Sequence, residues 1–155
     1  MTDRPASRLC IFLKEGAEEA ARFYASVLPD THVDHVQTIG PGMSLVLWRC
    51  LGTPCTLMDG NEGFEPRPDH SISVATLDQA ETDRLWDALT TGGSEGRCGW
   101  LRDRFGVHWQ IVPTALTHML GDTDREAAGR AQAAMMGMTR IDIAAMRAAF
   151  EGEPA

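Results

Sequence analysis

The chain has 155 residues, a length that suits one domain or two small repeated halves sharing one core, and it buries roughly 68–70% of its unfolded surface without disulfide staples. With 43% hydrophobic and 23% charged residues, its composition is that of a folded globular protein rather than a disordered one. The formal charge of −8 favours solubility and argues against a nucleic-acid partner, whose phosphates need a basic footprint.

In chain order, the apolar run Leu9 to Leu13 suits a strand. It is too short for a signal-peptide core or a membrane span, so a cytoplasmic location with no membrane partner is expected. Gly16 breaks the run. Ala17 to Leu28 (AEEAARFYASVL) then places Ala20, Phe23, Tyr24 and Val27 at helical spacing, with Glu18 and Glu19 in the first turn and Pro29 as the stop. His32 to Ile39 and Met43 to Cys50 read as strands around Gly40-Pro41-Gly42, and a further strand follows near Thr53 to Met58. Asp59 to Asp69 (DGNEGFEPRPD) reads as a loop whose acids, Asp59, Glu62, Glu65 and Asp69, are expected to be solvated, with a lid as the lesser reading.

A second cycle follows. His70 to Thr76 reads as a strand, and Asp78 to Thr91 as a helix with Asp78 as its N-cap, Ala80, Leu85, Ala88 and Leu89 on its apolar side, and Gly92-Gly93 as its stop. Cys98 to Arg102 and Val107 to Pro113 read as strands around the turn Asp103-Arg104-Phe105-Gly106. The tail predicts two helices: Asp124 to Met136, ending at Gly137, and a shorter one capped by Asp142 with Ile143, Met146 and Phe150 on one face. Its methionines, Met135, Met136, Met138 and Met146, are expected to pack on the core or on a partner subunit, with an adaptable binding surface as the lesser reading.

The four cysteines, Cys10, Cys50, Cys55 and Cys98, form no Cys-x-x-Cys pair. They are expected to be reduced and mostly buried, as small core hydrophobes.

Aligning Arg8 with His70 brings Ala17 to Tyr24 (AEEAARFY) onto Gln79 to Trp86 (QAETDRLW), so that Glu19 meets Glu81, Arg22 meets Arg84 and Tyr24 meets Trp86. The match sits inside the same strand-then-helix order in both halves, which points to an internal repeat whose halves bury a core together.

The stretches AEEAARFYASVLPD, DQAETDRLWDALTTGGSEGRCGWLRDRFGVHWQIVP and IDIAAM resemble the PhnB-like branch of the vicinal-oxygen-chelate superfamily. These are relatives of glyoxalase I, bleomycin-resistance proteins and extradiol dioxygenases, and some carry an old label as 3-demethylubiquinone 3-methyltransferases. The resemblance implies an α+β fold of two βαβββ modules, each curling into half a barrel around a cavity, in a homodimer. The implied division is 7–59 for the first module, 60–69 for a linker, 70–114 for the second module and 115–155 for a helical tail.

Metal-using relatives place ligands at the start of the first strand and near the last strand of each module. Carried over one by one, these positions fall on Arg8 (or Leu9 on a slipped register), a residue near Thr56, His70 and Gln110. Only His70 keeps a usual ligand, and it reads equally as a strand-end histidine hydrogen-bonded near the surface. Arginine is a permanent cation that repels a metal, and glutamine offers only a neutral carbonyl. A tightly held metal is therefore not expected; if one binds, His70 and Gln110 are its ligands.

His108 lies two residues before Gln110, on the same strand face, and is a candidate for the site. Trp48, Trp100, Phe105 and Trp109 either line a cavity or form core. No Gly-rich turn follows a strand into a helix, so no dinucleotide or S-adenosylmethionine cradle is visible; the P-loop and the G-x-S-x-G elbow are absent too. The expected function is binding of a small organic molecule by Arg8, Trp48, His70, Trp100, Phe105, His108 and Gln110, without a cofactor. A metal-dependent lyase, isomerase or dioxygenase is the alternative, and a methyltransferase the weaker one.

Overall fold

The computed structural model describes residues 7–60 and 63–153. Glu62 of the acidic loop lies outside them. The strands are β1 (Leu9–Phe12), β2 (His32–Gly40), β3 (Met43–Cys50), β4 (Thr53–Met58), β5 (Ile72–Thr76), β6 (Ser94–Glu95), β7 (Trp100–Arg102) and β8 (His108–Pro113). The helices are α1 (Ala17–Val27), α2 (Gln79–Thr90), α3 (Thr114–Leu120), α4 (Arg125–Met136) and α5 (Ile143–Glu151). The strands form two four-stranded sheets, ordered β1-β4-β3-β2 and β5-β8-β7-β6. Each module is thus βαβββ, and the second sheet repeats the order of the first, as the duplicated sequence pattern implied. No helix among the described residues is long and apolar enough to cross a membrane.

The chain divides into two compact units, one running to Arg67 and including Phe105–Val107, the other formed by Pro68–Arg104 and the residues from His108 onward. In the first unit α1 turns its small residues, Ala17, Ala20 and Ala21, and the ring of Tyr24 into the core. Val46, Trp48, Cys50, Cys55 and Leu57 are the buried apolar residues of the sheet. They alternate along β3 and β4 as a half-buried strand must. The Tyr24 and Trp48 rings lie 5.3 Å apart. Each of these large side chains contributes about 1.5–3 kcal/mol on full burial.

The start of α1 is held from a distance. Its N-cap is Gly16, which has no side chain to cap with. Asp59, just past β4, does it instead: one carboxylate oxygen accepts the Ala17 N–H at 2.7 Å and the other accepts the Ser44 N–H at 2.7 Å. The expectation of a solvated acid at position 59 is therefore corrected: Asp59 is buried, because two orphan backbone donors converge on it. The next residue, Gly60, has φ +93°, and a Cβ there would run into the Met43 side chain.

The second unit repeats the plan with a local cap. Asp78 accepts the Glu81 N–H at 2.8 Å. The buried face of α2 is Thr82, Leu85, Trp86 and Leu89. Ala80, expected on that face, is exposed. Thr82 takes the inward position because its hydroxyl is satisfied by the Asp78 carbonyl and by Thr76 Oγ1, each at 2.7 Å. On the sheet, Trp109 donates its indole N–H to buried Asp103 at 2.8 Å.

The tail belongs to the second unit and packs on its own module. Leu116, Ala131, Ile141 and Met146 form a buried cluster against which Val112, Met135, Met138 and Phe150 pack. The Cys98 and Gly99 N–H groups donate to the carbonyls of Met138 and Thr139 at 2.9 and 2.7 Å. The Gln79 amide donates to the Ile141 carbonyl and accepts from the Ile143 N–H. Asp124 and Asp142 cap α4 and α5 as their sequence predicts. Two elements are additional to the sequence reading: two-residue β6, and α3, which continues directly from β8.

Removing the Asp59 carboxylate strips two bonds to backbone donors, one buried and one half-buried. Asp59→Ala is expected to lower stability by about 1–2 kcal/mol, the cost of a lost cap, in urea melts; an unchanged midpoint would show that the long-range cap contributes nothing.

Candidate functional site

Strand alternation gives each sheet one face toward its helix and one open face. In the second unit the helix side carries Val74, Leu101, Trp109 and Ile111, all buried. The opposite face carries Ser73 from β5, His108 and Gln110 from β8, and Trp100 and Arg102 from β7. The register sets these residues in rows: Ser73 and Trp100 flank Gln110, and Arg102 lies beside His108. Three of the seven candidate residues, Trp100, His108 and Gln110, therefore share one sheet face.

The centre of that face is Gln110. Its Nε2 lies 2.7 Å from Ser71 Oγ, as donor to the hydroxyl. His70, the residue expected beside Gln110, stands before the first residue of β5. Its side chain is 86% exposed and contacts Asp69 Oδ1 at 3.1 Å. The strand expected from His70 begins instead at Ile72.

The reason is a one-residue phase difference between the two modules. Helices α1 and α2 start 62 residues apart, at Ala17 and Gln79. In the strands, however, Leu9 pairs with Cys55 and Ile72 with Trp109. Cys55 and Trp109 both lie on the buried helix side, so Leu9 corresponds to Ile72. The counterpart of Arg8 is then Ser71, not His70, and a shift of one residue exchanges the faces.

In the first unit Arg8 precedes β1. Its Nη1 donates to the Cys55 carbonyl at 3.3 Å and lies 3.9 Å from Asp34 Oδ2. Thr56, near the other expected position, pairs with Cys10. Trp48 is fully buried on the helix side of β3. It is a core residue, and its indole nitrogen has no hydrogen-bond partner among the described residues. Phe105 is half-buried, with its ring 6.0 Å from Phe23 and 5.9 Å from Tyr24.

Arg102, which the sequence reading passed over, shares the open face with His108. It lies one residue before the turn, a position where charge is usually only a solvated flank, so no sequence signal distinguished it. Of the cysteines, Cys50 and Cys55 are buried as expected, Cys98 is half-buried, and Cys10 is exposed. Burial pushes the Cys50 thiol up to about 12, with neighbouring Cys55 adding to the effect.

The chemistry available at these positions is polar and uncharged, apart from guanidinium. Hydroxyl, carboxamide and imidazole groups can donate to and accept from an organic ligand, and the Trp100 ring, 37% exposed, offers apolar area. Among the described residues no group of three or more His, Cys, Asp or Glu side chains could hold a metal ion. The Ser71–Gln110 pair supplies no anionic or imidazole donor, so these residues do not fit a tight divalent-metal site.

Two four-stranded βαβββ modules followed by helices define a two-module protein of the vicinal-oxygen-chelate type. The family model for 3-demethylubiquinone-9 3-methyltransferase matches residues 6–112. The chain belongs to this family. Among solved structures it is similar to the PhnB protein of Bacillus cereus, with 22% identity, a TM-score of 0.65, and coverage of 71% of this chain and 100% of that one. It is similar to protein PA1353 of Pseudomonas aeruginosa, with 20% identity, a TM-score of 0.58, and coverage of 71% and 98%. The fosfomycin resistance protein FosX of Listeria monocytogenes follows at 13% identity, a TM-score of 0.54, and coverage of 79% and 100%. At these identities the shared property is the fold. No curated protein matches the sequence.

Burial lowers the His108 pKa from its ordinary value; Arg102 lowers it further, while Asp103 and Asp69 oppose the shift. A lowered imidazole pKa means that the folded state disfavours the proton. The stability that neutral His108 contributes is therefore present above the unfolded pKa of about 6.5 and is lost as pH falls through the folded value. An NMR titration of the His108 ring is expected to give a midpoint below 6.5, and Arg102→Ala is expected to move it upward. A midpoint at or above the usual histidine value in the wild type would remove Arg102 and burial as controlling influences.

Proposed function

We propose that this protein binds a small organic molecule against the open face of its second sheet, with no tightly held metal at the superfamily's ligand positions. The observation that carries this reading is the 2.7 Å contact between Gln110 Nε2 and Ser71 Oγ. It puts two neutral hydrogen-bonding groups where metal-using relatives place metal ligands. Gln110 and Ser71 orient a polar group of the ligand, His108 accepts or donates as a neutral imidazole, and Trp100 covers an apolar part. Arg102 favours a ligand with negative character on the side near His108.

Two structures of FosX from L. monocytogenes contain Mn(II). That favours the alternative reading, a metal-dependent enzyme, for proteins of this fold that carry the ligands. In this chain the substitution of Gln110 and Ser71 and the outward position of His70 weigh against it. The reading separates cleanly by metal uptake. After incubation with Mn(II) or Zn(II) and desalting, the wild type is expected to retain well under one equivalent. One equivalent retained by the wild type and lost in Gln110→Ala would overturn the proposal. Binding itself is checked by thermal-shift screening of a small-molecule library. Ligands of this face are expected to lose at least tenfold in affinity in Gln110→Ala, and an absence of any Gln110-dependent ligand counts against the site.

The methyltransferase description of the family does not extend to this chain in our reading. The described strands form two mixed four-stranded sheets, and none feeds a Gly-rich turn into a helix N-terminus that could cradle a nucleotide-bearing cofactor. Calorimetric titration with S-adenosylmethionine is expected to give no binding heat. A saturable heat at micromolar concentration would restore the methyltransferase assignment.

A further inference from the structure

The methionine-rich tail and Cys98 are unused by the proposed ligand face, and the structure brings their sulfur atoms together. Cys98 lies just before β7, and Met136 is the last residue of α4. Their sulfur atoms, Cys98 Sγ and Met136 Sδ, are 3.8 Å apart. The Met135 carbonyl oxygen is 3.6 Å from the same thiol. Cys98 is half-buried, while Met136 is 53% exposed. The pair is thus open to solvent on one side and fixed on the other.

We propose that Cys98 and Met136 form a binding site for a soft, thiophilic cation of the Cu(I) class. Thiolate and thioether are the donors that select such ions over Mg(II), Ca(II) or Mn(II). With the zinc–sulfur length of about 2.3 Å as a guide, two sulfurs of a bent, three-coordinate site lie about 4 Å apart. The observed separation suits that geometry without a large movement, whereas a linear site would need about 4.6 Å by the same bond length. Binding replaces the thiol proton: the Cys98 S–H bond breaks, the proton leaves to water, and the sulfur's electron pair bonds the cation. Met136 Sδ donates a second electron pair without losing a proton, and the third position faces solvent. No oxidation or reduction is involved when the ion is supplied as Cu(I).

Both ligands are held by the docking of the tail. The Cys98 N–H donates to the Met138 carbonyl at 2.9 Å and the Gly99 N–H to the Thr139 carbonyl at 2.7 Å. At Gly99 (φ +80°) a Cβ would meet the Ile111 carbonyl oxygen at 2.6 Å and Ile141 Cγ1 at 3.2 Å. The backbone therefore approaches the strand and the tail closely enough to fix the thiol. The other cysteines do not compete on equal terms. Cys50 and Cys55 are buried, and exposed Cys10 lies on β1 of the first unit.

The test titrates the reduced full-length protein with Cu(I), without oxygen, against a chromophoric Cu(I) chelator. The wild type is expected to bind one equivalent. Cys98→Ser is expected to abolish binding, Met136→Leu to weaken it at least tenfold, and Cys10→Ser to leave it unchanged. X-ray absorption on the Cu(I)-loaded wild type should show two sulfur neighbours, a readout that does not depend on any variant folding. A single sulfur neighbour, wild-type affinity in Met136→Leu, loss of binding in Cys10→Ser, or equal affinity for Zn(II) would each overturn the proposal.

Discussion

In each module the first strand runs parallel to the last, β1 against β4 and β5 against β8. A parallel pair cannot be closed by a tight turn, so the helix and the two intervening strands serve as the connection between its members. Its residue-by-residue register sets which first-strand and last-strand residues meet. Cys10 is placed beside Thr56, and Ser73 beside Gln110, by this pairing alone. The hydrogen bond from Gln110 to Ser71 spans 39 residues of sequence and exists only because the two ends of the module are stitched together.

The same pairing explains how one scaffold holds different chemistry in its two halves. Helix side and open side are fixed by Cβ direction, and the helix side is kept apolar by packing: Trp48, Cys55 and Leu57 in one unit, Val74, Trp109 and Ile111 in the other. The open side carries no such demand. It can accept Arg8 in one module and Ser71 in the corresponding place of the other without disturbing the core. A change of polar residues on the open side is therefore compatible with full retention of the fold. The helix caps have drifted in the same way. Asp78 caps α2 from the neighbouring position, whereas α1, preceded by Gly16, takes its cap from Asp59 beyond β4.

Much of the architecture was legible because it rests on local signals. The spacing of Ala20, Phe23, Tyr24 and Val27, the N-cap residues Asp78, Asp124 and Asp142, and the glycine turns all act within a few residues of the element they define. The repeat showed in the helices, where Ala17 and Gln79 begin equivalent elements. It was misleading in the strands, because one residue of slippage changes neither composition nor alternation but moves each side chain to the other face. That is why the sequence pattern points to His70 in place of Ser71. Arg102, Asp59 and the Cys98–Met136 pair were not legible as functional or structural groups, since each acquires its meaning from a partner distant in sequence.

By itself the sequence determined the fold class, two βαβββ modules with a helical tail, because hydrophobic period, capping residues and turn glycines are properties of short segments. Only the tertiary structure decided that Ser71 rather than His70 meets Gln110, that Trp48 is core, and that the tail docks on its own module through Cys98, Gly99 and Gln79. Strand register and helix docking are set by contacts between segments tens of residues apart, and a linear pattern of residue types carries no record of which of them touch.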